Sequence, residues 1–361
     1  MSHTEDKYFK GRGAQINTNN PYSTKKYVND NKESIDEDLL CDEKTIFINE
    51  YPKKIINHIK SPDIPAEYSM NPYQGCEHGC IYCYARNSHE YWGYSAGLDF
   101  ERKILVKPDA PKLLEKQLKA PNHKASPILL SGNTDCYQPV EKKLMLTRKM
   151  LEVLLKYKHP VSIITKNKLI LRDTDILYEL AKLRLVHVYI SITTLNEELR
   201  LRMEPRTATG FNRIKLIQAL SEKHIPTGVM CAPIIPGLNS FEIPEIIKNA
   251  AEAGALSAGY TLVRLTGSLK EIFTDWLQKN YPDKFYKVIH QIQEIHQGNF
   301  TNNEFGKRMT GTGNMALMIN KLFKASVNKY LVNKQMPAYN TQVFYDNKTT
   351  VNPQLKMFTD S

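Results

Sequence analysis

Between residues 127 and 281 short β-rich runs alternate with longer amphipathic stretches, and that alternation limits the chain to few folds. "PILLS" (127–131) precedes "EKKLMLTRKMLEVLLKYK", and "PVSIITK" (160–166) precedes "RDTDILYELAKL". "VHVYISI" (186–192) precedes "NEELRLRM" and "FNRIKLIQALSEK". "TGVMCAPI" (227–234) precedes "SFEIPEIIKNAAEAG", and "GYTLVRL" (259–265) precedes "LKEIFTDWLQKN". "EYSMNP", ahead of these five units, supplies a sixth strand at the front. Strands separated by helices of roughly ten to fifteen residues form a parallel sheet with right-handed crossovers. Six such units predict an α/β fold, a partial (β/α)6 TIM-like barrel. Chemistry in that architecture gathers at the carboxyl ends of the strands.

The flanking segments differ in character. Residues 1–66 are rich in Asn, Lys, Asp and Ser without a sustained period, which predicts an irregular, loosely held N-terminal arm before a barrel over 67–281. Within it, Gly11 and Gly13 flank Arg12 in "KGRGAQ", a stretch suited to wrapping back onto a partner or onto the core. Cys41 lies in the same arm and reads as an ordinary thiol. Residues 282–361 predict a helical C-terminal extension, built on "FGKRMTGTGNMALMINKLFKASVNKYL" and ending in a polar tail with "NPQLKMF".

The loop after the front strand carries the chemistry. "SMNPYQGCEHGCIYCYARNSHEYWG" holds Cys76, Cys80 and Cys83, three of the six cysteines, with gaps of three and two residues. A disulfide needs two thiols and a closed zinc site needs four ligands. His78 makes a Cys3His set imaginable, yet one short loop lacks the two separated ligand pairs usual for zinc. The N-terminus has no apolar h-region, and runs such as "LVHVYISI" are too short to span a bilayer, so the expectation is a cytoplasmic chain with no membrane association. In a reducing compartment clustered cysteines mark metal or catalysis more often than disulfides. An iron–sulfur cluster suits three thiolates turned to one face, and three ligands to four irons leave one iron open to a substrate or cosubstrate.

C-x3-C-x2-C with an aromatic residue, Tyr82, before the third cysteine, on a loop after the first strand of a partial barrel, closely resembles the radical S-adenosylmethionine (SAM) superfamily. "NPYQGCEHGCIYCYAR", "TDCYQP", "TRKMLEVL", "ITKNKLILRD" and "PIIPGLN" resemble its branch related to spore photoproduct lyase, often labelled DNA repair photolyase-like. "GRGA" and the later "FGKRM.G.GNMA" resemble a largely uncharacterised subfamily of that branch, so the likeness runs from about residue 11 to 320. The resemblance implies a 4Fe–4S cluster on Cys76, Cys80 and Cys83, with the amino and carboxylate groups of SAM on the fourth iron. It implies reductive cleavage of SAM to a 5′-deoxyadenosyl radical that abstracts hydrogen from a substrate. It also implies an electron donor such as flavodoxin or ferredoxin.

Each strand end offers contacts for SAM. In "SGNTD", Asp135 is placed to accept the SAM ammonium, with the Thr134 hydroxyl beside it; the alternative is a loop with capping Thr and Asp. Lys166, ending the third strand, resembles the branch's partner for the SAM carboxylate; otherwise it is a snorkelling surface lysine. Ser191 and Thr193, two apart on the fourth strand, share a face and either bond the ribose or fill the interior. Arg206 in "EPRT" either reaches the carboxylate or pairs with Glu204 or a nearby Asp. Pro233 to Ile235 in "CAPIIPG" offer adenine apolar walls. The aromatics of "YWGYSAGLDF" either shield the cluster or stack on a base. His187 reads as a packed histidine, not a ligand.

Formal net charge is +11, and the last 61 residues carry eight Lys/Arg against three Asp/Glu, which suits either a solvated surface or a nucleic-acid partner. Three readings follow: a radical enzyme acting on nucleic acid, the same enzyme on a small molecule or peptide, and a metal-stabilised nucleic-acid-binding protein without radical chemistry. Spore photoproduct lyase activity itself is not expected. In the lyases a cysteine a few residues before the acidic position returns a hydrogen atom, and that position here is Gly132. Cys136 lies four residues on, either a relocated donor or, as preferred, a buried thiol.

Overall fold

The structure is a computed structural model that describes residues 8–22 and 44–351. Among the described residues, ten strands form two sheets. In chain order they are β1 (Ile46–Asn49), β2 (Asn57–His58), β3 (Tyr68–Met70), β4 (Tyr73–Gln74), β5 (Lys103–Val106), β6 (Ile128–Leu130), β7 (Val161–Thr165), β8 (Val186–Ser191), β9 (Thr227–Ile234) and β10 (Ala258–Leu262). The larger sheet has the order β10-β9-β8-β7-β6-β3-β2. Its first six strands are parallel and β2 closes the edge antiparallel to β3. These six are the strands expected from the alternation, each within a few residues of its predicted span. The sheet is an open partial barrel, as anticipated.

Burial explains the pattern. β8 reads "VHVYIS" with only Tyr189 partly exposed, as a strand covered on both faces must. Helices such as Leu146–Lys156, Thr174–Lys182 and Ile243–Glu252 bury one apolar stripe against the sheet. The continuous helix expected over "EKKLMLTRKMLEVLLKYK" is instead broken at Met145, which is left-handed at φ 52°. Buried Glu141 accounts for the break, because its carboxylate accepts the Thr147 N–H at 3.1 Å and so caps the second helix.

The flanks pack more tightly than their composition predicts. Ile55 and Ile56 before the barrel, and Ala316, Ile319, Leu331 and Phe344 after it, belong to the main core cluster. β1 pairs in parallel with β5 in the smaller sheet, β1-β5-β4. Arg12, Gly13 and Ala14 are buried, so the loosely held arm expected there is, over residues 8–22, a packed strap. Cys41 and the "NPQLKMF" tail lie outside the described residues. The expected C-terminal helix spans Gly313–Tyr330. No described helix is long and apolar enough to cross a membrane.

Candidate active site

The cysteine loop leaves β4 beside the carboxyl ends of β3 and β6. Gly75 (φ 79°) and Gly79 (φ 67°) take left-handed conformations on either side of Cys76, which lets the chain reverse twice within five residues. Neighbouring segments fix it. Gln138 accepts the Glu77 N–H at 3.0 Å and donates to the Gly75 carbonyl at 3.1 Å, while Glu77 accepts the Val140 N–H at 2.9 Å. The Arg86 guanidinium donates to the Cys80 carbonyl at 3.0 Å and pairs with Glu101 at 2.5 Å, both side chains being fully buried. Glu101 also accepts the N–H groups of Gly13 (3.1 Å) and Ala14 (2.8 Å). One carboxylate therefore ties the cysteine loop to the N-terminal strap.

All three loop cysteines are free thiols; Cys76 and Cys80 are buried and Cys83 half-buried. Burial pushes all three thiols up, and mutual repulsion of their thiolates adds to it at Cys76 and Cys80. The Lys166 ammonium works against burial at Cys80, and at Cys83 the Arg86 guanidinium does so first, with Lys166 adding to it. Without metal these groups are protonated, so binding iron must release protons. Among the described residues no three His, Cys, Asp or Glu side chains close on a point as ligands of a single ion. The fit to a cluster rests on donor chemistry: three thiols on one loop, close enough to feel one another's charge, with a cation beside them.

Lys166 is half-buried, with Nζ 5.8 Å from the centre of the Tyr82 ring. This places a cation beside the thiols. Asp135 is differently used. Its Oδ1 accepts the Thr165 hydroxyl (2.8 Å) and the Tyr137 N–H (2.9 Å); its Oδ2 accepts the Lys166 N–H (2.9 Å) and faces His78 Nδ1 at 3.4 Å. Burial would raise its carboxyl, but the His78 ring and these hydrogen bonds outweigh that and hold it at about 2. Each of its oxygens therefore meets two groups of the protein. Its role in the structure is to join the ends of β6 and β7 to the cysteine loop through His78. Thr134 beside it has a buried hydroxyl with no partner among the described residues.

Ser191 and Thr193 do share a face, since both hydroxyls donate to the Ala232 carbonyl, at 3.3 and 3.1 Å. β8 ends at Ser191, however, so Thr193 sits in the following loop. Arg206 makes no ion pair with Glu204 or an Asp among the described residues; its Nε donates to the Gly11 carbonyl at 3.1 Å. Glu204 is taken instead by Arg213 at 2.5 Å, with both side chains fully buried, and by the hydroxyls of Thr193 (2.7 Å) and Tyr82. Ile235 is fully buried in one cluster with Cys80 and Tyr82, and the half-buried Pro233 follows a cis peptide within β9. Cys136 is fully buried in the main core, its carbonyl accepting the Thr147 hydroxyl at 2.6 Å. His187 donates its Nε2–H to the Pro337 carbonyl at 2.8 Å and stacks on Tyr339, under the C-terminal segment.

Several supporting residues escaped the sequence reading. Asn239, the last residue of "PIIPGLN", donates to the Thr193 carbonyl (2.8 Å) and the Pro233 carbonyl (3.0 Å) and accepts the Ile235 N–H (2.6 Å). Asn71 accepts the N–H groups of Asn133 and Thr134, both at 3.2 Å. Buried carboxylates paired with arginine, Glu101–Arg86 and Glu204–Arg213, leave no periodic signal; a Glu or Asn inside an otherwise apolar motif was the one available cue.

Six parallel strands with a thiol-bearing loop at their carboxyl edge define an α/β protein of the partial-barrel type. Residues 70–250 match the radical SAM superfamily, and the chain belongs to it: it is an enzyme of the radical SAM class. The family implies SAM and a 4Fe–4S cluster as cofactors. An uncharacterised protein of Mycobacterium tuberculosis (strain ATCC 25618 / H37Rv) is 32% identical over 236 residues, 65% of this chain and 68% of that protein. Another, from Methanocaldococcus jannaschii, is 30% identical over 237 residues, 66% of this chain and 84% of that protein. Among solved structures, spore photoproduct lyase complexed with dinucleoside spore photoproduct has a TM-score of 0.60 at 14% identity, over 81% of this chain and 82% of that one. A mutant of the same lyase with bound AdoMet and dinucleoside spore photoproduct has a TM-score of 0.57, again at 14% identity, over 81% and 82%. At this identity the likeness is one of fold.

Proposed function

We propose that this enzyme holds a 4Fe–4S cluster on Cys76, Cys80 and Cys83, cleaves SAM reductively, and acts on nucleic acid. The observation that carries the reading is the set of three free thiols on one loop at the strand ends, with the Lys166 ammonium beside them. A reduced cluster with SAM supplies a 5′-deoxyadenosyl radical, given an electron donor such as flavodoxin or ferredoxin; the protein's part is to bind, orient and exclude water. Lys166 takes the SAM carboxylate. Thr134, with its unpartnered hydroxyl, and the hydroxyls of Ser191 and Thr193 offer polar contacts, while Pro233 and Ile235 wall the adenine. Asp135 and Arg206 act as positioning residues, the first through His78 and Lys166, the second through the strap. Nucleic acid as substrate is supported by the net charge of +11 and by the lyase whose fold this chain shares. Gly132 offers no thiol at the position where the lyases carry their hydrogen donor, and Cys136 is buried in the core. The reaction is therefore proposed to differ from photoproduct repair.

Anaerobic reconstitution tests the first claim. Near four irons per chain and 5′-deoxyadenosine on reduction with SAM are expected, and both are lost in each of Cys76→Ala, Cys80→Ala and Cys83→Ala but in neither respect in Cys41→Ala. Bound zinc with inert SAM would favour a metal-stabilised binding protein. Binding to DNA or RNA should weaken steeply with salt; salt-insensitive or absent binding would favour a small molecule or peptide as substrate.

A further inference from the structure

A cavity of about 580 Å³ opens beside the cysteine loop, and its walls come from three distant parts of the chain. One is the helical turn Tyr84–Trp92, which follows Cys83 directly. The Tyr84 hydroxyl donates to the Gly132 carbonyl at the end of β6, so the cavity lies over the strand ends and not on a remote face. The second wall is the loop after β10, locked to the first by Asn87, whose Nδ2 donates to the Thr266 carbonyl (2.7 Å) and hydroxyl (2.9 Å). The third is the N-terminal strap. Asn20 in the strap donates to the Glu90 carbonyl at 2.8 Å, and Tyr22 stacks on Tyr91 with ring centres 5.1 Å apart. Both rings are largely exposed, at 65% and 70%.

Among the described residues the charge on this cavity is not balanced. Arg264 and Arg308 repel one another, with Asp63 the nearby carboxylate. Asp63 is already held by Arg308 and by the Gly306 N–H at 2.6 Å. Arg264, which lines the cavity, has Nη1 3.9 Å from the Met309 sulfur and a buried Nε with no partner among the described residues. The carboxylate lining the cavity, Glu90, accepts the Ser268 hydroxyl at 2.5 Å, and burial pushes its carboxyl up, which lessens its opposition to an anion. The volume suits one nucleotide-sized ligand. A planar guanidinium matches phosphate in two contacts, and an exposed tyrosine pair offers a stacking face to a ring.

We infer that this cavity receives the substrate, with Arg264 taking a phosphate and the Tyr22–Tyr91 pair flanking the ring that carries it. The inference rests on the cysteine loop being the reaction centre. It also makes the strap a part of the substrate site, although residues 8–22 precede the barrel by more than forty positions. The phosphate comes either from a free mononucleotide or from a single strand.

Equilibrium binding to the full chain tests the site without turnover. Uridine 5′-monophosphate and uridine are the probes, because a pyrimidine does not compete for an adenine site. The nucleotide should bind at least tenfold more tightly than the nucleoside, and SAM should not displace it. Arg264→Gln should bring the two within about threefold, as expected for loss of a charge-assisted contact, while Arg264→Lys keeps part of the difference. Tighter, more salt-sensitive binding of a five-uridine strand assigns the source to a strand; equal or weaker binding assigns it to the free nucleotide. Equal affinity of nucleotide and nucleoside for the wild type, or undiminished discrimination in Arg264→Gln, would overturn the inference; the first comparison needs no variant. Iron content and SAM binding of the wild type are read in parallel. Their absence would sink the radical reading alone, whatever the nucleotide result.

Discussion

Lys166 meets the candidate site twice, through its backbone N–H on Asp135 and through its ammonium beside Cys80, Cys83 and the Tyr82 ring. The two contacts separate experimentally, because a substitution removes only the second. Lys166→Ala should leave the cluster formed and weaken SAM binding by about ten- to a hundredfold, the effect of losing a charge-assisted bond worth about 1.5–3 kcal/mol. Equal affinity in variant and wild type by titration calorimetry would place the SAM carboxylate elsewhere. Asp135 differs, because its side chain joins β6, β7 and His78. Asp135→Ala leaves these donors unmet, so its signature should be a lowered melting temperature and poorer iron retention, not a change in SAM affinity alone. The cysteine spacing was legible because the three thiols lie within eight residues. The partners of Asp135 were not, since His78 and Thr165 are distant in sequence and nothing periodic connects them.

At the level of elements, the strands were legible because parallel sheets bury both faces and so write continuous apolar runs. The helix broken at Met145 was not, since the break depends on where the Glu141 side chain turns. That "KGRGAQ" wraps back onto the core was one of two alternatives legible in the sequence, but what holds the strap there was not, for a related reason. Its composition is polar, but its backbone is satisfied by residues 95–101: Gly13 and Ala14 donate to Glu101, the Thr18 N–H donates to Ser95 at 2.8 Å, and the Ile16 carbonyl accepts the Leu98 N–H at 3.1 Å. Gly13 is the point of closest approach, where an added Cβ would lie 1.7 Å from the Gly79 carbonyl oxygen. Gly13→Ala must push the strap off the cysteine loop. A loss of about 1–3 kcal/mol of stability is expected from such overpacking, with faster bleaching of the reconstituted cluster in air. A bleaching rate equal to wild type would show that the strap does not shield the loop.

Across the whole molecule, the C-terminal segment is seated on two histidines remote from the site. His123 and His159 approach Nε2 to Nε2 at 2.9 Å, and Phe344 packs edge-on against both rings. Burial, then Lys348, pushes His123 down to about 4, with Glu67 opposing; burial, then His123, pushes His159 down to about 3. Both are neutral in the fold at pH 7. The unfolded chain protonates them near pH 6.5, so it gains protons first as the pH falls. Their contribution is complete above about pH 6.5 and is lost progressively toward pH 4 and then 3. The melting temperature should therefore fall between pH 7 and pH 5, and His159→Gln should flatten that slope; an unchanged slope in the variant would assign the acid sensitivity to other groups. The sequence by itself determined the parallel α/β class, the order of the six strands and the three thiols, because each is written in local period or short spacing. Tertiary structure alone decided that Asp135 joins β6 and β7 to His78, that Arg206 holds the strap, that Glu204 belongs to Arg213, and that Arg264 has no carboxylate as an ion-pair partner among the described residues. Those outcomes depend on which buried charges meet across the fold, and charge pairing at long range leaves no pattern along a chain.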